Sequence, residues 1–384
     1  MSPQRPIYLD CNATTPVDTQ VLAAMLPFFT DYFGNPSSLN HAYGWEAEAG
    51  VKRAREIVAA AINADPVEIV FTSGATEANN LAIKGVAEAY MAGGKHIITV
   101  QTEHSAVLDP CRYLESLGFS VTYLPVGADG LISLSQLAQA FRPDTILVSV
   151  MAANNEIGVL QPISEIGQMC RDRQVIFHTD AAQALGKVPL DVQAMKIDLL
   201  SMTAHKLYGP KGIGALYVRR RNPRVQVAPQ LHGGGQERGL RSGTLYTPQI
   251  VGLGEAVKLA VEERADMAEK LGGLRDRLWH HLSGLSGIYL NGHPTQRLPN
   301  NLNVSIEGIN GADLLSQLRS EVALSSGSAC SSANPAPSHV IKALGRSDQL
   351  ARATLRFGLG RSTSAAEIDQ VGKAVSEGVR SLRS

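Results

Sequence analysis

Three short stretches combine reactive side chains with residues small enough to let a ligand come close. "FTSGAT" closes an apolar run and sets Ser73-Gly74-Ala75-Thr76 at the start of a helical pattern. Small residues there let an anion reach free N–H groups and the positive end of the helix dipole. "VIFHTDAAQ" puts Asp180 at the end of a buried-strand pattern, where an unpaired carboxylate is costly. "SMTAHKLYGPKGIG" puts Lys206 after the next apolar run, beside His205. Taken singly, the first reads better as an ordinary helix cap and the second equally well as one. The glycines near Lys206 do not fit GxxxxGK[ST], which argues against a Walker loop.

Taken together, an anion cradle, a carboxylate and a lysine are what pyridoxal phosphate requires. The cradle holds the phosphate and the lysine holds the aldehyde. The carboxylate keeps the ring nitrogen protonated, so that the ring withdraws electrons. A fourth stretch, "LSSGSACSS" (324–332), carries Cys330 among serines, glycine and alanine. A structural cysteine is expected in an apolar core, whereas this run packs little and bends easily, which raises the question of what its thiol reaches. An unperturbed thiol with pKa ~8.5 is only a few per cent ionised at pH 7, so a site that used this one as a nucleophile would have to help remove its proton.

These residues need a frame. From about residue 68, short continuous apolar runs ("EIVFTSG", "KHIITV", "SVTYLPV", "TILVSVMA", "VIFHTDAAQ") alternate with amphipathic stretches. Continuous rather than alternating runs are expected when both faces of a parallel sheet are covered. The pattern predicts a doubly wound α/β domain, with ligands beyond the carboxyl ends of its strands. "GIGALYVRR" follows "IDLLSMTAHK" too closely for a helical crossover and predicts an antiparallel strand. One long helical stretch from Gln249 to about Leu285 leads into a smaller α+β domain. The division read here is 17–258 for the large domain, with 1–16 and 259–384 for the small one.

Composition narrows the class. The 384 residues are 44% hydrophobic and 18% charged, with 35 Lys+Arg against 35 Asp+Glu. No global field attracts nucleic acid or an anionic membrane, and neither is expected as a partner. The opening "MSPQRPIYLDCNATTP" lacks a secretory h-region. Cys11, Cys111, Cys170 and Cys330 show no CxxC spacing. The expectation is a cytoplasmic enzyme without a metal site or disulfide framework.

The ordered set "YLDCNATTP", "FTSGATEANN", "TEHSAV", "NNEIG", "HTDAAQ", "AHKLYGPKGIGALY", "HGGGQERGLRSGT", "SSGSACSS" and "LRFGLGR" resembles cysteine desulfurases of the NifS/IscS type. These are fold-type I pyridoxal phosphate enzymes of the class V aminotransferase group. The resemblance implies removal of sulfur from L-cysteine, leaving L-alanine and a persulfide on Cys330. It implies that Lys206 binds the cofactor, Asp180 pairs with its ring nitrogen and Gln183 contacts its ring oxygen. His104 would stack on the ring and relay protons, with Asn155 nearby. Ala75, Thr76, Thr203 and His205 would hold the phosphate, with Thr244 reaching in from the second subunit of a homodimer. Arg356 would take the substrate carboxylate through its planar fork, helped by Asn35. Cys111 and Cys170 read as core residues, and Cys11 has no assigned role. Sulfur-acceptor or iron–sulfur scaffold proteins are the implied partners, although some relatives dock the scaffold with a tail beyond "VSEGVRSLRS". An aminotransferase or β-lyase without a persulfide is the alternative reading, as is a non-catalytic scaffold that retains the cofactor.

Overall fold

The computed structural model describes residues 5–326 and 336–384, so Cys330, the expected sulfur carrier, lies outside the described residues. A seven-stranded sheet runs in the order Ile69–Thr72, Gly214–Val218, Leu199–Thr203, Ile176–Asp180, Thr145–Ser149, His96–Val100, Ser120–Leu124. Gly214–Val218 is antiparallel to both of its neighbours, and the remaining pairs are parallel. The expected antiparallel strand is therefore present, but it sits inside the sheet, between the preceding strand Leu199–Thr203 and the sequence-distant Ile69–Thr72.

Successive residues of these strands feed opposite cores. Ile98, Phe177 and Leu200 join one apolar cluster, while Ile97, Ile176 and Leu199 join another across the sheet. That two-sided burial is why the runs read as continuously apolar. Helices Ala42–Ala60, Ile163–Asp172 and Thr247–Glu262 cover the first face. Helices Ala75–Tyr90 and Ser105–Ser116 cover the second through residues such as Leu81, Val86, Val107 and Leu114. Each fully buried side chain of this size contributes roughly 1.5–3 kcal/mol.

A second sheet, with all neighbouring pairs antiparallel, has the order Ser325–Ser326, Thr354–Gly358, Asn301–Ile306, Ile288–Leu290. Its core collects Leu278 and Leu282 from helix Arg264–Ser283 with Ile368, Val371 and Val375 from helix Ala365–Arg383. Ser364 and Glu367 close a capping box on the latter helix, and losing such a cap costs about 1 kcal/mol. The single helical stretch read from the sequence is two helices. They meet at Glu263 (φ −91, ψ −1), and the first packs on the large sheet's core while the second packs on the small sheet's. Among the described residues no helix is long and apolar enough to cross a membrane.

Candidate active site

Three strands that run the same way end at one place. Thr72, Thr203 and Asp180 are the last residues of their strands, and Gly214 begins the antiparallel strand beside them. Beyond these ends lies a cavity of about 540 Å³. Ala75, Thr76, His104, Asn155 and Asp180 line it, as do Gln183, Thr203, His205, Lys206 and Arg356. Ten side chains chosen from the sequence thus meet in one chamber. Asn35 and Thr244 do not line it. Asn35 is exposed and accepts from Ser37 N–H at 2.9 Å. Thr244 is also exposed, although its neighbour Arg241 is tied to Glu77 at 2.8 Å.

The cradle is built by the turn between Ile69–Thr72 and Ala75–Tyr90. Gly74 adopts φ 152, ψ −179, a region that essentially only glycine occupies. No side chain caps the helix at this residue, so its first N–H groups and dipole face the cavity. Gly214 closes the back of the turn, since a Cβ there would lie 2.7 Å from the Gly74 Cα.

Asp180 is buried and fixed at both oxygens. Oδ2 accepts from Asn79 Nδ2 at 2.7 Å, and Oδ1 from the Ala182 N–H at 2.8 Å. Beneath it, His178 bridges Ser149 Oγ (2.8 Å) and Ser201 Oγ (2.9 Å) on the flanking strands. Burial pushes His178 down to about 4, so it is a neutral strut at neutral pH. Lys206, in the turn after Thr203, is held below the ordinary lysine range, first by burial and then by the charge of Arg356, against the pull of Asp180. His205 is pushed down to about 4 by burial and by the neighbouring Lys206 charge. His104 is the N-cap of Ser105–Ser116, with Nδ1 accepting from the Ala106 N–H at 3.1 Å. The cap and the site residue are thus one side chain, and Nε2 is left as the proton-bearing atom. Desolvation by the cavity walls, then Lys206, lowers its pKa.

Sequence reasoning missed several partners. Asn79, a buried amide on the apolar face of its helix, was the visible signal for Asp180's support. Lys187 donates to Gln183 Oε1 at 3.0 Å while Gln183 Nε2 donates to the Asn12 carbonyl at 2.7 Å, which fixes that amide's orientation. Asp10 pairs with Arg356 at 2.8 Å, and nothing local in sequence marks it. The three described cysteines are buried and free. Burial, the leading cause, raises the thiols of Cys11 and Cys111 to about 11 and about 12, and that of Cys170 further.

Comparison with known proteins is consistent with this geometry. The Aminotransferase class-V family model matches residues 7–371. Cysteine desulfurase IscS of Neisseria meningitidis is 56% identical over 100% of this chain and 94% of its own length. A solved NifS-like protein superposes with a TM-score of 0.92 at 38% identity, covering 98% of this chain and 100% of that one. The structure of SspA in complex with cysteine matches with a TM-score of 0.82 at 42% identity, covering 92% and 98% of the two chains.

Proposed function

This chain belongs to the class-V aminotransferase family and is a cysteine desulfurase of the IscS/NifS type, and on that premise we propose how its residues divide the work. The observation that carries the reading is the convergence of Lys206, Asp180 and the uncapped helix at Gly74 on one cavity. These residues fit pyridoxal phosphate: a carboxylate held by two donors, an anion cradle without a cap and an amine with a lowered pKa. When bound, the cofactor supplies a sink for charge developing at the substrate's α-carbon.

Lys206 holds the cofactor and then moves the α-proton, for which a depressed pKa leaves more neutral amine at pH 7. Asp180 keeps the ring nitrogen protonated, and Gln183 meets the ring oxygen. Ala75, Thr76, Thr203 and His205 hold the phosphate. Arg356 takes the carboxylate of L-cysteine, with Asn155 assisting, and His104 relays a proton through Nε2. The Cys330 thiolate attacks the substrate sulfur. An S–S bond forms as the C–S bond breaks, leaving a persulfide on Cys330 and L-alanine after protonation at carbon. The buried, raised thiols of Cys11, Cys111 and Cys170 support Cys330 as the carrier.

The working form in this reading is a cytoplasmic homodimer. Leu26, Phe29, Phe33, Tyr43, Trp45 and Tyr246 are exposed large apolar side chains, more than a free surface usually shows. Phe29 stacks edge-on against Tyr246 at 6.3 Å, two residues from Thr244, so the patch adjoins the segment expected to reach the neighbouring phosphate site. The persulfide then passes to acceptor proteins, including the iron–sulfur scaffold.

Brief exposure of the holoenzyme to L-cysteine, followed by mass spectrometry, tests the assignment. One extra sulfur is expected on the Cys330 peptide, and Cys330→Ser should bind L-cysteine without releasing alanine. Sulfur on Cys11 with a fully active Cys330→Ser would overturn the carrier assignment. Borohydride labelling of a lysine other than Lys206 would overturn the cofactor assignment.

A further inference from the structure

Arg356, on strand Thr354–Gly358, has a side chain only 3% exposed. Its Nη2 donates to Asp10 Oδ1 at 2.8 Å and its Nη1 to the Asn155 carbonyl at 3.2 Å, while Nε is buried without a partner. The other oxygen of Asp10 accepts from Ser325 Oγ at 2.9 Å, and Ser325 pairs in register with Arg356. A carboxylate of the chain itself is thus docked on a guanidinium that lines the cavity. A charge buried this deeply is strongly destabilising if left unpaired. Asp10, 20% exposed, reaches water more readily. Its backbone is anchored independently, through a bridge to Gly358.

We propose that Asp10 is a positioning residue that stands in for the substrate's α-carboxylate: it pairs with Arg356 and aims it into the cavity in the substrate-free enzyme, and it yields that place when substrate binds. The inference rests on reading Arg356 as the carboxylate anchor. Two carboxylates on one guanidinium repel each other, so ligand binding includes the release of Asp10. The apparent affinity is then lowered by the fraction of enzyme in which Asp10 holds the place. Ligands without a carboxylate do not compete for it. Ser325 strengthens the stand-in by holding the second Asp10 oxygen.

The test uses the holoenzyme, with steady-state kinetics on L-cysteine and calorimetric titration with L-alanine, which carries the carboxylate and no sulfur. Asp10→Asn keeps the shape and an acceptor but removes the competing charge. It should lower KM for L-cysteine and Kd for L-alanine by about fivefold, the scale of a partly exposed ion pair, with kcat within about twofold. Ser325→Ala should move both the same way by about twofold, the scale of one hydrogen bond. It keeps the proposal testable should Asp10→Asn fold poorly. Affinity for cysteamine, which lacks the carboxylate, should not change. Unchanged or weakened binding of L-alanine in both variants, with wild-type melting, overturns the exchange. An Arg356→Gln variant separates the two layers. If it leaves KM unchanged, the anchor reading itself fails. If it raises KM while Asp10→Asn changes nothing, only the exchange fails.

Discussion

Glu156 offers a stability prediction whose size follows from its surroundings. It is 7% exposed, and its Oε2 accepts from Ser338 Oγ at 2.5 Å. Burial raises its carboxyl from the ordinary 4.5 to about 7, against the opposing pull of Ser338 and Arg356. Because the folded value lies above the unfolded one, the effect vanishes well below pH 4.5, where both states keep the proton. As pH rises from 4.5 to 7 the unfolded chain releases the proton first, and stability falls. Above pH 7 the loss is complete, at up to ~3 kcal/mol. Glu156→Gln removes the charge and keeps an acceptor for Ser338. It should exceed wild type by less than about 1 kcal/mol at pH 5 and by ~3 kcal/mol at pH 8. With about 2 cal/mol/K of unfolding entropy per residue, ~3 kcal/mol is roughly 4 °C in Tm for a chain of this length. Calorimetric scans of the two proteins side by side cancel every other titrating group. A difference that does not change between pH 5 and pH 8, or a variant less stable at pH 8, would refute the buried-acid reasoning.

Asp180→Asn should keep the cofactor and lose most turnover, because a neutral amide no longer holds the ring proton; near-normal kcat in the loaded variant would contradict that role. Mixing Lys206→Ala with Thr244→Ala subunits should restore activity through one intact site per heterodimer. Native mass spectrometry verifies the exchange, and verified heterodimers without activity would count against a shared phosphate site.

The large sheet was legible because each strand is a local apolar run, and the direction of Gly214–Val218 was legible because its connection is short. Its place inside the sheet was not, since its partner Ile69–Thr72 is distant in the chain and no local signal records the pairing. The break at Glu263 carries neither Gly nor Pro, so the periodicity ran through it. Lys206, Asp180 and the Gly74 turn announced themselves because a charge or a glycine at a strand end is locally odd. Asp10 and Glu156 did not, because the meaning of each depends on Arg356 or Ser338 being brought alongside by the fold. His104 shows a further limit: a helix cap and a site residue look alike when they are the same side chain.

The position of Gly214–Val218 also sets an order of events during synthesis. Ile69–Thr72 is an edge strand whose ladder partner in the sheet emerges roughly 140 residues later, about 7–30 seconds at ordinary rates of translation. Throughout that interval Ile69, Val70 and Phe71, all buried in the finished sheet, lack their native ladder partner and are open to mispairing. The Gly74 turn is backed by Gly214, so it too is completed only once the later strand has slotted in. In the nascent chain the residues of the anion cradle therefore gain that backing only after the parallel strands have been synthesised.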